Sequence, residues 1–375
     1  MESPIRVTII LHNIDRSIQF EHLIEAHQGL VSYSFILLQS KRGYLSEYLS
    51  EHGIPFTEVN YHTKKDLLKA LWKTMRTLSG YKPQIVHTHL FISGLIGSVA
   101  SWLIGIKYRI YTRHHSDFHL VYYPDAVKYD KFINYLNHKI IAISPIVAEI
   151  LIHKENVASD KVITIPHGFQ LQHWQQINPQ QLETMKMKYN PQGLSPVIGV
   201  VSRLTKWKGI QYILPAFKHL LHIYPDSLLI LANAKGEFNI DKLLADIPQR
   251  NYIKIEFEND MVHLFKMMDI FIHVPTNITT EAFGQVYIEA CAARLPSIFT
   301  LSGIAPHFVQ HEYNALVVDY KDETAIYNAM IRLVNDKALA EELSRNAIQS
   351  VQAYNFETFS EKILALYRSL LIQDN

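Results

Sequence analysis

At 375 residues the chain is longer than one hydrophobic core comfortably serves, so two domains are expected. Its 48% hydrophobic content marks a globular protein, and 36 Lys and Arg against 35 Asp and Glu leave no overall field to attract nucleic acid or a membrane surface. A single cysteine, Cys291, excludes an intramolecular disulfide, fits a reducing compartment and lies in an apolar stretch that suggests packing rather than reactivity.

The opening run MESPIRVTIILHN passes straight into a strand-like segment without a small-residue cleavage site, so no signal peptide and a cytoplasmic protein are expected. Short β-branched runs then alternate with helical segments. Strands are predicted at Val7–Leu11, Tyr33–Leu38, Phe56–Val59, Ile85–Thr88, Tyr108–Thr112, Ile140–Ile143 and Val162–Ile165. Many are apolar throughout, as strands covered on both faces are. The longest apolar stretch, Leu90 to Ile106, contains Ser93, Ser98 and Ser101 and falls short of the roughly 20 residues of a membrane span, so a buried helix is expected there. The alternation resumes with Val197–Val201, Leu228–Leu231, Ile253–Phe257, Ile270–Val274, Ser297–Thr300 and Ala315–Val318. The pattern predicts an α/β protein of two doubly wound, Rossmann-like domains with ligands at the carboxyl ends of the strands and in the cleft between domains. The boundary is placed in the loop-like YNPQGLSP, Tyr189–Pro196, giving domains 1–192 and 193–355. Segment 356–375 carries a last helix that either domain could receive, the first by crossing back to it.

Residues His62–Lys82 read as a basic amphipathic helix. Lys64, Lys65, Lys69, Lys73, Arg76 and Lys82 alternate with Leu67, Leu68, Leu71, Trp72, Met75 and Leu78. Such a helix either packs its apolar stripe on a sheet or lies on an anionic membrane. Most of the 20 histidines must be structural or solvent-facing, so only clustered ones merit attention. Arg113, His114 and His115, with Asp117 and His119 close behind, follow a predicted strand. A metal site is the rival reading of that group, but its spacing matches no zinc pattern. His87 and His89 in VHTHLF and His167 in PHGF also end strands, where packing and ligand contact are both open.

After the buried strand VIGVV, the loop SRLTKWKG places Arg203, Lys206 and Lys208 at the strand's carboxyl end, where an Arg fork and a Lys ammonium suit the oxygens of one diphosphate. Further on, EAFGQVYIEACAARLP sets Glu281 and Glu289 around Gly284, which opens an apolar helix. A helix N-terminus attracts phosphate oxygens, so a carboxylate on each side of it points to a ligand with an anionic middle and hydroxyl-rich ends, the shape of a nucleotide sugar. The plainer alternative is a helix-start Glu281 favoured by the macrodipole and a solvated Glu289; the apolar run around Glu289 argues against it.

These motifs, SRLTKWKG and TEAFGQVYIEACAARLP, resemble those of retaining glycosyltransferases of the GT-B fold, in particular glycosyltransferase family 4 (glycosyl transferases group 1). VHTH, YTRHH, AISPIVAEIL and VITIPHGF extend the likeness over nearly the whole chain. The resemblance implies an acceptor-binding first domain and a donor-binding second one. It further implies that Arg203 and Lys208 bind the donor diphosphate, with Lys206 beside them. Glu281 would hold hydroxyls of the transferred sugar, and Phe283, Gly284 and Gln285 would meet the distal phosphate through backbone amides. Glu289 would accept from the ribose, and backbone near Glu256 and Glu258 would read the base. His114 falls on the family's active-site histidine, with His115 one register away. The chemistry implied is a same-face displacement from a UDP- or GDP-sugar to a hydroxyl of a glycan, lipid-linked or small-molecule acceptor, without metal or other cofactor. It would serve cell-surface polysaccharide or glycolipid synthesis; peripheral contact with the inner membrane face through 62–82 is the expectation of the amphipathic pattern there, with packing on a sheet as its alternative.

The chain departs from the family's pattern at four places. Ala282 stands where proline is usual, Asn233-Ala234-Lys235-Gly236 replaces a glycine-rich turn and offers Lys235 as a phosphate or base contact, and LSGIAPHFV replaces a loop with paired glycines. LHNIDRS replaces a glycine-rich first loop, which puts contacts at Asn13 in question. A sugar-nucleotide epimerase or phosphorylase on the same fold, or a catalytically silent nucleotide-sugar-binding protein, is the alternative.

Overall fold

A computed structural model describes residues 3–372. Each strand read from the sequence is present, with ends shifted by a few residues. Strands β1 (Ile5–His12), β2 (Val31–Gln39), β3 (Phe56–Asn60), β4 (Ile85–His89), β5 (Tyr108–Arg113), β6 (Lys139–Ala142) and β7 (Val162–Thr164) form one sheet in the order β3-β2-β1-β4-β5-β6-β7. Strands β8 (Val197–Val201), β9 (Leu228–Ala232), β10 (Tyr252–Ile255), β11 (Ile270–His273), β12 (Ser297–Phe299) and β13 (Leu316–Val317) form a second, ordered β10-β9-β8-β11-β12-β13. All pairings between these strands are parallel. In each sheet the order reverses beside the first strand, which places the switch point between β1 and β4 and between β8 and β11.

Successive residues of β1 point to opposite faces, and each face has its own cover. Val7, Ile9 and Leu11 join Phe35, Leu37 and the helix Phe356–Ile372 through Phe359, Ile363, Leu366 and Tyr367. Ile10 instead joins Ile36, Val86, Ala70, Leu78, Ile96 and Ala100, so the helices Leu67–Tyr81 and Phe91–Leu103 close the other side. The last helix therefore belongs with the first sheet although it lies after the second in sequence.

Among the described residues, 3–169 and 356–372 form one compact unit and Gln170–Asn355 the other. The division thus falls at 169/170 rather than 192/193. The helix Pro179–Tyr189 packs on the helix Met261–Lys266, and the Asn178 amide donates to Nε2 of His263 at 3.1 Å. Lys188 and Tyr189 both bond Glu258, at 2.8 and 2.7 Å. YNPQGLSP is consequently a loop inside the second unit, leading from that helix to β8. No helix among the described residues is long and apolar enough to cross a membrane.

Candidate active site

In the second unit the loop after β8 and the loop after β11 meet at Glu281. Lys208 forms an ion pair with the Glu281 carboxylate, and His273, the last residue of β11, donates from Nε2 to the same oxygen at 3.0 Å. The backbone amide of Glu281 donates to Oγ of Ser302 at 3.0 Å, and the amide of Ile304 to the carbonyl of Phe283 at 2.9 Å. The unusual LSGIAPHFV loop therefore clasps the Glu281 segment from the side of β12. Burial would raise the Glu281 carboxyl, but Lys208 and His273 more than offset that and hold it at about 2. Glu281 is only 8% exposed and stays ionised.

Close approach explains the glycines here. Gly209 has φ +79°, and a Cβ on it would lie 1.9 Å from the Val274 carbonyl oxygen, so the SRLTKWKG loop turns directly against the end of β11. Gly284 caps the helix Gln285–Ala292 with φ +86°, and its Cβ would meet the Tyr287 ring at 2.7 Å. The Tyr287 hydroxyl donates to the Thr300 carbonyl at 2.8 Å and its ring stands edge-on to His273 at 4.7 Å, which fixes the start of that helix against the sheet. The amides of Gly284, Gln285 and Val286 have no hydrogen-bond partner among the described residues, the condition in which a helix start receives an anion.

Around this centre, Arg203 and Lys206 are exposed and their side chains have no ion pair or hydrogen bond among the described residues. Phe283 is buried against Tyr354, so it offers backbone rather than side chain. Gln285 is exposed at the first helical position. Glu289 is half-buried, lacks a polar partner among the described residues, and is pushed up by burial to about 7. Lys235 faces Glu256 at 3.6 Å on the surface, its loop tied to the β8 loop by the Leu204 amide donating to the Lys235 carbonyl at 2.7 Å. The Glu258 carboxylate is already engaged by Lys188, Tyr189 and the Asp260 amide. Burial opposes its charge, yet these bonds hold it at about 2.

In the first unit, β4 and β5 bring histidines together. Nδ1 of His89 lies 3.2 Å from Nε2 of His114, and the His114 ring stacks on His167 at 5.5 Å. His167 donates from Nδ1 to Oε1 of Gln19 at 2.9 Å. His87 sits behind them between the Tyr367 hydroxyl at 2.8 Å and the Thr112 hydroxyl at 2.7 Å. Burial keeps all four imidazoles neutral, His87 down at about 3, His167 at about 4, and His89 and His114 well below their usual range. Asn13 is exposed at the turn after β1, with φ +52° and its amide on the Leu38 carbonyl at 3.0 Å.

His115 turns away from His114 toward a buried ion-pair network. Arg113 meets Asp130 at 3.0 Å and Glu155 at 2.5 Å, while His119 donates from Nδ1 to Asp130 at 2.6 Å and Nε2 of His115 lies 3.4 Å from the same carboxylate. The donor atoms of His115, His119 and Asp130 lie within 4.8 Å of one another. Asp117, which the sequence suggests beside them, is replaced in this cluster by Asp130. An arginine directly on the carboxylate already supplies countercharge of the kind a cation would bring, while Nε2 of His115 and Oδ1 of Asp130 lack a hydrogen-bond partner among the described residues. His273, Ser302 and Asp130 are neighbours of the candidate residues that sequence reasoning passes over, and His89, which it leaves open between packing and ligand contact, lies against His114. The polar ends of IFIHV and VHTH, after otherwise apolar strands, are the signal that singles out His273 and His89.

The family model described as Glycosyltransferase Family 4 matches residues 5–173, and that described as Glycosyl transferases group 1 matches residues 183–350. The chain is 30% identical over 324 residues to the capsular polysaccharide biosynthesis glycosyltransferase CapM of Staphylococcus aureus, covering 81% of each chain. It is 25% identical over 358 residues to the UDP-Gal:alpha-D-GlcNAc-diphosphoundecaprenol alpha-1,3-galactosyltransferase of Escherichia coli, covering 90% of this chain and 89% of that one. Among solved structures, Anabaena Alr3699/HepE in complex with UDP-glucose superposes with a TM-score of 0.82 at 18% identity, over 97% of this chain and 99% of that chain, a likeness of fold. With matches to both halves of the family and a relative of this identity over most of its length, the chain belongs to the group 1, family 4 glycosyltransferases of the GT-B fold.

Proposed function

We propose that this glycosyltransferase is a retaining, metal-independent enzyme that moves a sugar from a UDP- or GDP-sugar to a hydroxyl of a glycan or lipid-linked acceptor in the synthesis of surface polysaccharide or glycolipid. Glu281 carries the reading: a buried carboxylate kept ionised by Lys208 and His273 stands beside a helix start whose Gly284, Gln285 and Val286 amides have no hydrogen-bond partner among the described residues. Such a carboxylate accepts hydrogen bonds from sugar hydroxyls, while Arg203, Lys208 and the Gly284–Gln285 amides meet the diphosphate as its negative charge grows on leaving. Glu289 accepts from ribose. His114, neutral and held by His89, keeps the role the resemblance gives it, a hydrogen bond to the transferred sugar. The departing phosphate oxygen takes the acceptor proton. The relatives acting in capsular polysaccharide synthesis and on a diphosphoundecaprenol-linked sugar support the acceptor class, and the UDP-glucose complex of a protein of the same fold supports the donor class.

The test is incubation with UDP-glucose, UDP-galactose, UDP-N-acetylglucosamine and GDP-mannose in the presence and absence of octyl glycosides and diphosphate-linked lipid sugars. Nucleoside diphosphate should appear with acceptor, the product should keep the donor's anomeric configuration, and chelator should leave the rate unchanged. Inversion would overturn the mechanism, and silence with every donor the function.

We read the helix Leu67–Tyr81 as a peripheral contact with the inner membrane face of a cytoplasmic enzyme. Leu71, Met75 and Leu78 pack inward, but Leu68 is 78% and Trp72 60% exposed, beside exposed Lys64, Lys65, Lys69 and Arg76. Lys73 is excluded, since its ammonium bonds the Glu58 carbonyl at 2.6 Å. Each basic residue contributes roughly 1 kcal/mol at an anionic surface. Flotation with anionic vesicles should fall in a variant reversing Lys64, Lys65 and Lys69; equal flotation with neutral lipid would remove the membrane contact.

A further inference from the structure

The carboxyl end of β5 carries a second polar centre that the donor chemistry does not use. His119 donates from Nδ1 to the fully buried Asp130, whose charge is fixed by Arg113 at 3.0 Å. A neutral ring so anchored carries its proton on Nδ1 and a lone pair on Nε2. Nε2 has no partner among the described residues, in a side chain 12% exposed. Around the ring stand Phe91, edge-on at 4.8 Å, and Tyr123, edge-on at 6.4 Å. Phe118 contacts Tyr122 at 5.4 Å and Tyr123 at 5.3 Å, and these three rings are 37%, 50% and 57% exposed.

We infer that His119, oriented by Asp130, and the aromatic platform of Phe118, Tyr122 and Tyr123 form a subsite for a pyranose ring of the acceptor. A pyranose presents hydroxyls at its edge and C–H groups on its faces, and this site pairs one fixed hydrogen-bond acceptor with exposed ring surface. The chemistry decides against a bare acyl chain, which would bury Nε2 with no hydrogen-bonding partner at a cost in free energy. Three neighbouring exposed rings are the kind of apolar surface a ligand can cover. The inference rests on the transferase reading and names its acceptor class, sugar rather than bare lipid or protein hydroxyl.

Saturation-transfer NMR with the full chain tests it, using the methyl α-glycosides of glucose, galactose and N-acetylglucosamine as probes and their octyl counterparts in parallel. Ring C–H signals of at least one methyl glycoside should be saturated by the wild type. The surface variant Phe118→Ala/Tyr123→Ala should abolish that saturation, and His119→Gln should weaken binding roughly tenfold, the loss of one hydrogen bond to a buried-carboxylate-backed acceptor. The subsite is overturned if no methyl glycoside is bound, if only octyl glycosides are, or if both variants bind as the wild type does. It is equally overturned if the double variant loses flotation with anionic vesicles while glycoside binding is intact, since the rings then serve a lipid surface. Absence of nucleoside diphosphate release from every donor would sink the transferase reading and leave the glycoside result standing, so the two failures are separable.

Discussion

Glu281 and Arg203 stand in the same loop system yet should fail differently when changed. The Glu281 carboxylate is held by two bases, so Glu281→Gln leaves Lys208 without its countercharge in a part-buried place and should cost about 1–3 kcal/mol of stability. Its folded value lies below the ordinary 4.5, so its contribution is present above pH 4.5 and lost as pH falls through about 2; the variant should lack that acid limb. Turnover should drop roughly 100-fold if the sugar's hydroxyls are read there. Arg203 has no side-chain partner among the described residues, so Arg203→Ala should leave the melting temperature unchanged while weakening donor affinity by about 1.5–3 kcal/mol. Calorimetry and donor titration separate the two, and wild-type kinetics in either variant would remove that residue from the site. Arg203, Lys208 and Glu281 were legible because their residue types at strand ends advertise charge. His273 and Ser302 were not, since their partnership with Glu281 depends on β11 and β12 lying side by side. Nothing in the structure explains Ala282.

The helix Gln285–Ala292 shows what an element adds to its residues. Its start can be the proposed anion seat only because Gly284 adopts a left-handed conformation and lies close against the ring of Tyr287, in the helix's own first turn. Gly284→Ala should cost about 1–2 kcal/mol for the backbone alone, with a further penalty of about 1–3 kcal/mol for crowding the ring. The amides should also tilt away from the donor, so thermal stability and donor affinity fall together; a variant that melts lower but binds UDP normally would exclude the helix start from the site. Element type was readable from periodicity throughout, whereas element allegiance was not. YNPQGLSP carries the composition of a linker, yet the helix before it is bound to the second unit by Glu258 and His263, contacts set by side chains some seventy or more residues away. Likewise the stripe of Leu67–Tyr81 splits between sheet and solvent, since Leu68 and Trp72 lie just beyond the sector that the sheet covers.

Across the first unit, stability is tied to histidines that must stay neutral. β4 carries His87 beneath the last helix, where Tyr367 reaches it from 280 residues along the chain, a contact composition could not reveal. His87 and His167 are held at about 3 and about 4, below the ordinary 6.5, so the unfolded chain binds their protons first on acidification. Their contribution is whole above pH 6.5 and is lost as pH falls toward those values. At about 1.4 kcal/mol per pH unit for each group, lowering the pH from 6.5 to 5 should remove roughly 2 kcal/mol apiece, a large share of a stability of about 5–15 kcal/mol. Denaturant midpoints measured from pH 7.5 to pH 5 should therefore fall steeply below pH 6.5. His167→Gln, which can still donate to Gln19, should match the wild type at pH 7.5 and lose about one proton's worth of that slope. A variant as acid-sensitive as the wild type would show that His167 is protonated without opening the fold, and that the acid lability resides elsewhere.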